Sequence, residues 1–167
     1  PLHEALARAL GPRVGLEPGS FSIGRFANGE LHLSLETPVA ARDCVVLGSI
    51  APPDEQMVSA LLLAHTLKKE GARRVLALLP YLGYARHDRD EPGQSRATAW
   101  VGQVARASGI DEVVTVDVHS TAAAQLFPVA LHSLSPAGIF AAEIIRLGLT
   151  DATVVAPDEG ARERSEA

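Results

Sequence analysis

The chain has 167 residues, 47% of them hydrophobic and 21% charged, with a formal net charge of −5 at pH 7. That balance excludes a disordered chain and argues for a packed core, in one domain or one domain and part of a second. An acidic surplus speaks against a general nucleic-acid binder, and no apolar run approaches the ~18 residues of a membrane helix.

The amino terminus carries no secretory pattern, and the single Cys44 has no partner for an internal disulfide. A soluble, cytoplasmic protein is the expectation, with Cys44 a small buried hydrophobe among Val45, Val46 and Leu47.

Two short β-prone segments come first, at residues 21–25 and 31–35, with Asn28-Gly29 between them. Asn-Gly flanked by alternating apolar residues predicts a hairpin. Residues 44–49 then read as a buried strand. Asp54 is placed to cap a helix whose apolar face is Met57, Leu61, Leu62 and Leu67, with Gly71 stopping it. A second strand is expected at 75–79, a helix at 98–108, a third strand at 112–117, a helix opened by Pro136 and a fourth strand at 153–156. The helix after Pro136 carries Ile139, Phe140, Ile144 and Leu147. Residues 159–167 read as the opening of one more helix. Strands alternating with helices predict an α/β protein with a mainly parallel sheet covered by helices.

Each predicted parallel strand is followed by a polar loop: residues 49–54, 81–90, 117–121 and 158–162. Loops at the carboxyl ends of parallel strands lie on one edge, where open α/β sheets bind ligands. The second loop is the richest. Arg86 and Arg89 offer planar forks for phosphate oxygens, while Tyr81, Tyr84 and His87 offer rings for a base or sugar. In the third loop, Thr-Val-Asp-Val-His-Ser, Asp117 and His119 share a face of an extended chain. His119 there is open to two readings, metal ligand or acid/base on one side and hydrogen-bonded structural histidine on the other. Asp158 is similarly divided between capping the next helix and serving a magnesium ion. The chain has no HxxxH or CxxC spacing for zinc, no GxGxxG or GxxxxGK[ST] phosphate loop, and no nucleophile elbow.

Four motifs in order carry a family resemblance: RFANGE at residues 25–30, PYLGYARHDR at 80–89, TVDVHS at 115–120 and APDEGA at 156–161. In that order the chain resembles the N-terminal half of the ribose-phosphate pyrophosphokinases, or PRPP synthetases. The resemblance implies a type I phosphoribosyltransferase-like fold with an N-terminal hairpin. It implies an ATP-side domain over residues 1–137 and the start of a truncated second domain over 138–167. The implied reaction transfers the diphosphoryl group of ATP to the 1-hydroxyl of ribose 5-phosphate, giving PRPP and AMP.

By the same resemblance, Phe26, Asn28, Gly29 and Glu30 contact adenine and its sugar in a neighbouring subunit. Arg86, His87 and Arg89 hold ATP, and His119 and Asp158 serve Mg²⁺. A homo-oligomer, hexameric in the family, is the implied assembly. Three departures stand out. Asn28 replaces the usual Asp, and His87 replaces Gln. The family's catalytic lysine loop and its DDxxDTGGT-type ribose-phosphate loop are matched by no stretch of the 167 residues, and both are expected after Ala167. The segment alone is therefore expected to be inactive, with no catalytic residue of its own. The alternatives are a non-catalytic PRPP-synthetase-associated homologue, a phosphoribosyltransferase and a binding module of the same architecture.

Overall fold

The computed structural model describes residues 2–149 and 151–162, with the side chains of residues 2–4 and 160 left aside. The remainder of the helix expected over 159–167 lies outside the described residues beyond residue 162. The chain divides into two compact units, Pro1–Ser133 and Leu134–Ala167.

The first unit opens with α1 (Leu2–Val14), which runs across Pro12. A proline inside a helix lacks the N–H and crowds the preceding turn. With Gly11 beside it, that conflict hides the helix from a reading of the sequence. The expected hairpin follows as β1 (Phe21–Arg25) and β2 (Leu31–Leu35), antiparallel and in register from Phe21↔Leu35 to Arg25↔Leu31. Gly29 takes φ +89° in its turn, a conformation that favours glycine. Every residue of β1 is exposed, including Phe21 and Ile23.

A four-stranded sheet comes next, in the order β3 (Asp43–Leu47), β4 (Arg74–Leu79), β5 (Glu112–Val116), β6 (Ala130–Leu134). The first three strands pair in parallel, from Asp43↔Arg74 to Leu47↔Leu78 and from Leu76↔Glu112 to Leu79↔Thr115. Two helices make the crossovers, α2 (Glu55–Lys69) and α3 (Ala97–Ala107), and the short α4 (Thr121–Gln125) precedes β6. Alternate residues Val75, Ala77 and Leu79 of β4 are buried with Val46, Val113, Met57, Leu67 and Val101. Burying each such valine or leucine contributes roughly 1.5–3 kcal/mol. Cys44 is half-buried against this core, where desolvation raises its thiol pKa.

Two expectations are corrected. Residues 153–156 form no strand, and Val154 and Val155 are 63% and 78% exposed. β-branched residues form a strand only when a neighbouring strand accepts their backbone bonds. The fourth strand is β6 instead, whose polar His132 and Ser133 mask it in the sequence. It lies at the sheet edge beside β5, with His132 Nε2 3.5 Å from Glu112. In the second unit, α5 (Ala137–Arg146) forms after Pro136 as expected, yet it buries no residue. Ile139, Phe140 and Leu147 of its expected apolar face are exposed.

Ion pairs brace the amino-terminal edge of the sheet. Arg73 forks onto Asp43 at 2.8 and 2.7 Å, and Lys68 meets Asp111 at 2.6 Å. Asp111 also accepts the Val75 N–H at 2.7 Å. Burial alone would raise the Asp111 pKa, but the Lys68 and Val75 bonds outweigh it and hold the carboxyl below its ordinary range. A depressed folded pKa stabilises above the unfolded value, about 3.9, and that stability is lost as pH falls through the folded value. The pair is partly exposed, so the contribution is about 1 kcal/mol or less. Urea midpoints measured between pH 5 and pH 2 are therefore expected to fall less steeply in Asp111→Ala than in wild type. Parallel slopes would remove Asp111 from the acid response.

Candidate functional site

The loop after β4 is folded so that small and apolar residues anchor it and charged ones face outward. Leu82, Gly83 and Ala85 are buried, whereas Arg86, His87 and Arg89 are exposed. Gly83 packs directly on the backbone after β3: a Cβ there would stand 2.2 Å from the Ile50 carbonyl oxygen. Tyr84 follows in the left-handed region at φ +64°. Its carbonyl accepts the Thr98 hydroxyl at 2.6 Å and the His87 N–H at 3.3 Å, and the His87 carbonyl accepts the Thr98 N–H at 3.3 Å. Thr98 is 1% exposed, so a buried hydroxyl at the start of α3 clamps the loop.

The Tyr84 ring meets Trp100 edge-on at 6.3 Å, and its hydroxyl donates to Asp54. That bond raises the Tyr84 pKa. It also corrects the part expected of Asp54, whose side chain makes no cap bond to α2. Asp54 holds the β4 loop instead. Tyr84 is thus occupied as an anchor, while Tyr81 is 53% exposed.

The loop after β5 turns at Asp117, φ +50°, and presents His119 to solvent. Ser120 makes two bonds at once: its hydroxyl donates to the Asp88 carboxylate and accepts the Ala123 N–H at 2.9 Å, capping α4. The Ser120 bond leads the lowering of the Asp88 pKa, against desolvation, with the neighbouring charges of His119 and Arg89 adding to it. The structure therefore brings the β4 loop bearing Arg86, His87 and Arg89 together with the β5 loop bearing His119. Sequence reasoning missed Asp88, Ser120 and Thr98. Asp88 and Ser120 lie inside polar loops already singled out, whereas Thr98 opens the helix eight residues past the β4 loop and carried no such signal.

The hairpin tip is a separate exposed feature. Phe26 and Glu30 pair through the Phe26 N–H at 2.9 Å, the Asn28 Oδ1 accepts the Glu30 N–H at 3.2 Å, and the Arg25 guanidinium donates to the Gly29 carbonyl. Phe26 is 54% exposed and meets His32 edge-on at 5.0 Å. Arg25 also pairs with Glu55 in the first turn of α2, which ties the hairpin to the helix carrying Asp54.

Asp158 belongs to the second unit. It accepts the Ala161 N–H at 2.9 Å and caps a 3₁₀ turn, Glu159–Ala161, so the capping reading of this residue is realised. The loop it begins follows no strand among the described residues. Three loops of the four expected therefore rise from strands of one sheet.

Among the described residues, no three His, Cys, Asp or Glu side chains gather as a cation cage. Magnesium commonly keeps several waters and uses one or two carboxylates together with substrate phosphates. His119, exposed on the loop after β5, fits an ion that arrives on a phosphate ligand rather than one held by protein alone.

The model of the N-terminal domain of ribose phosphate pyrophosphokinase matches residues 2–109. The chain belongs to the ribose phosphate pyrophosphokinase family. It is 30% identical over 160 residues to the ribose-phosphate pyrophosphokinase of Halalkalibacterium halodurans, covering 95% of this chain and 51% of that protein. The Bacillus caldolyticus enzyme of the same name is 31% identical over 157 residues, covering 93% and 50%. The crystal structure of phosphoribosylpyrophosphate synthetase from Mycobacterium smegmatis superposes with a TM-score of 0.87 at 25% identity, covering 98% of this chain and 56% of that one. The chain thus spans about half the length of the relatives it matches. The α/β fold, with a helix-flanked parallel sheet and an N-terminal hairpin, is the type I phosphoribosyltransferase-like fold expected.

Proposed function

We propose that this chain is the ATP-side portion of a ribose-phosphate diphosphokinase, which transfers the diphosphoryl group of ATP to the 1-hydroxyl of ribose 5-phosphate. One observation carries the reading. A loop braced at Gly83, Tyr84 and Thr98 projects Arg86, His87 and Arg89 at the carboxyl edge of a parallel sheet, joined to the loop of His119. Diphosphoryl transfer needs positioning and charge neutralisation more than covalent help. Arg86 and Arg89 would hold phosphate oxygens, and His87 would bond the base or a phosphate. His119 and Asp158 would hold Mg²⁺, which supplies charge neutralisation at the phosphates when bound. Asp158 uses one carboxylate oxygen as a cap, and a carboxylate has a second.

Phe26, Asn28, Gly29 and Glu30 would reach a neighbouring subunit's adenine. The exposure of Phe21, Ile23 and Phe26 along the hairpin supports such a neighbour, and a cytoplasmic homo-oligomer, hexameric as in the family, is the assembly proposed. We read residues 1–137 as the ATP-side domain and 138–167 as the opening of a second phosphoribosyltransferase-like domain, and assign no catalytic residue within either. Asn28 and His87, which depart from the family pattern, favour a second reading: a non-catalytic associated homologue that keeps the fold.

The test is turnover. The full natural polypeptide, given ATP, Mg²⁺ and ribose 5-phosphate, is expected to yield PRPP and AMP in equal amounts, whereas residues 1–167 alone are expected to yield none. ATP binding without turnover by the full polypeptide would favour the associated homologue. PRPP made by the 167-residue segment would overturn the division of labour proposed.

A further inference from the structure

The Ser120 hydroxyl makes a direct bond between the arginine-bearing loop and the histidine-bearing loop. Ser120 follows His119 in the chain, and Asp88 stands between His87 and Arg89. One hydroxyl proton goes to Asp88 while a lone pair takes the Ala123 N–H, so both bonding directions of Ser120 are committed. We propose that Asp88 and Ser120 form a clasp that sets the spacing between the Arg86–His87–Arg89 loop and His119. They are positioning residues for a magnesium-bound nucleotide, and neither touches it. The inference rests on the reading of this edge as such a site.

Asp88 places a negative charge beside residues assigned to phosphate oxygens. By charge alone, removing it would tighten the binding of a polyanion. A carboxylate kept in that place acts against the ligand's charge, so what it contributes is geometry. Its partner is fixed from three directions: Ser120 caps α4, Val118 N–H donates to the Ser133 hydroxyl of β6 at 2.9 Å, and Thr115 before it is buried in β5. The β5 loop is thus held from its own side, and Asp88 ties the exposed, arginine-bearing part of the β4 loop to it. Two contacts made to one ligand from two loops gain most when the loops are already spaced for it.

The clasp separates from the cap by substitution. Ser120→Ala breaks both, Asp88→Ala breaks the clasp and leaves the cap, and Asp88→Asn removes the charge but keeps an oxygen that accepts the Ser120 proton. Calorimetric titration of ATP with Mg²⁺ into the full natural polypeptide reads the dissociation constant, with thermal melting alongside. Asp88→Ala is expected to weaken binding about fivefold or more, against the sign of its charge change, with the melting temperature nearly unchanged because the Ser120 cap on α4 is kept. Ser120→Ala is expected to weaken binding by at least as much. The double variant is expected to bind no worse than the weaker single, since one interaction is removed twice. Asp88→Asn and Ser120→Thr are expected to bind like wild type or, for Asn, more tightly. Tighter binding by Asp88→Ala, full additivity in the double variant, or a loss in Asp88→Asn equal to that in Asp88→Ala would overturn the clasp. A wild-type protein that takes no ATP–Mg²⁺ would instead overturn the site reading itself, and the clasp's role with it.

Discussion

Arg86→Glu is expected to raise the dissociation constant for ATP by more than a factor of ten. A charge-assisted hydrogen bond to a phosphate contributes about 1.5–3 kcal/mol, and tenfold in affinity corresponds to about 1.4 kcal/mol. Reversal adds repulsion between the new carboxylate and the phosphate chain. Because Arg86 is exposed on a loop whose backbone is held by Gly83, Tyr84 and Thr98, the fold is expected to survive, with an unchanged melting temperature. Repulsion between exposed charges is screened by salt, so part of the loss is expected to return as ionic strength rises. A dissociation constant equal to that of wild type would remove Arg86 from the site.

Gly83→Ala is expected to be the most damaging single methyl that can be added to this loop. The new Cβ would lie 2.2 Å from the Ile50 carbonyl oxygen and 3.1 Å from its carbon. Both are backbone atoms, so no side-chain rotation relieves the clash, and the segments after β3 and β4 must part. Overpacking of this kind costs about 3 kcal/mol, against a total of about 5–15 kcal/mol for a domain. Urea unfolding is expected to show a lower midpoint with an unchanged slope, and ATP binding is expected to weaken even where the protein remains folded. Gly24→Ala is the control. Nothing lies within 4 Å of its added Cβ, and a change within about 0.5 kcal/mol is expected. Equal stability of the two variants would show that the approach of Ile50 to Gly83 is not a constraint.

Legibility in the sequence followed how local each feature's cause was. The hairpin was readable to the residue, because Asn28-Gly29 determines a turn and alternation determines its strands. The three parallel strands were readable as apolar, β-branched runs, since each lays a buried face on the core. β6 was not, because an edge strand tolerates His132 and Ser133 and owes its existence to β5 beside it. The reverse error arose at residues 153–156, where strand-forming residues pair with no strand among the described residues. Within the site, the exposed arginines and His119 were visible as residue types. Their supports were not: Asp54 has the place of a cap and holds Tyr84 instead, and nothing local marks Asp88 and Ser120 as partners.

The sequence by itself determined the family, the alternation of strands with helices, and which loops carry charge, because each of these is written in residues near one another in the chain. Only the tertiary structure decided which strand completes the sheet, that Gly83 is required by Ile50, and that Ser120 donates a hydrogen bond to Asp88, 32 residues away. The reason is physical: pairing, close approach and hydrogen bonding are properties of two partners, and a chain read in order presents only one at a time.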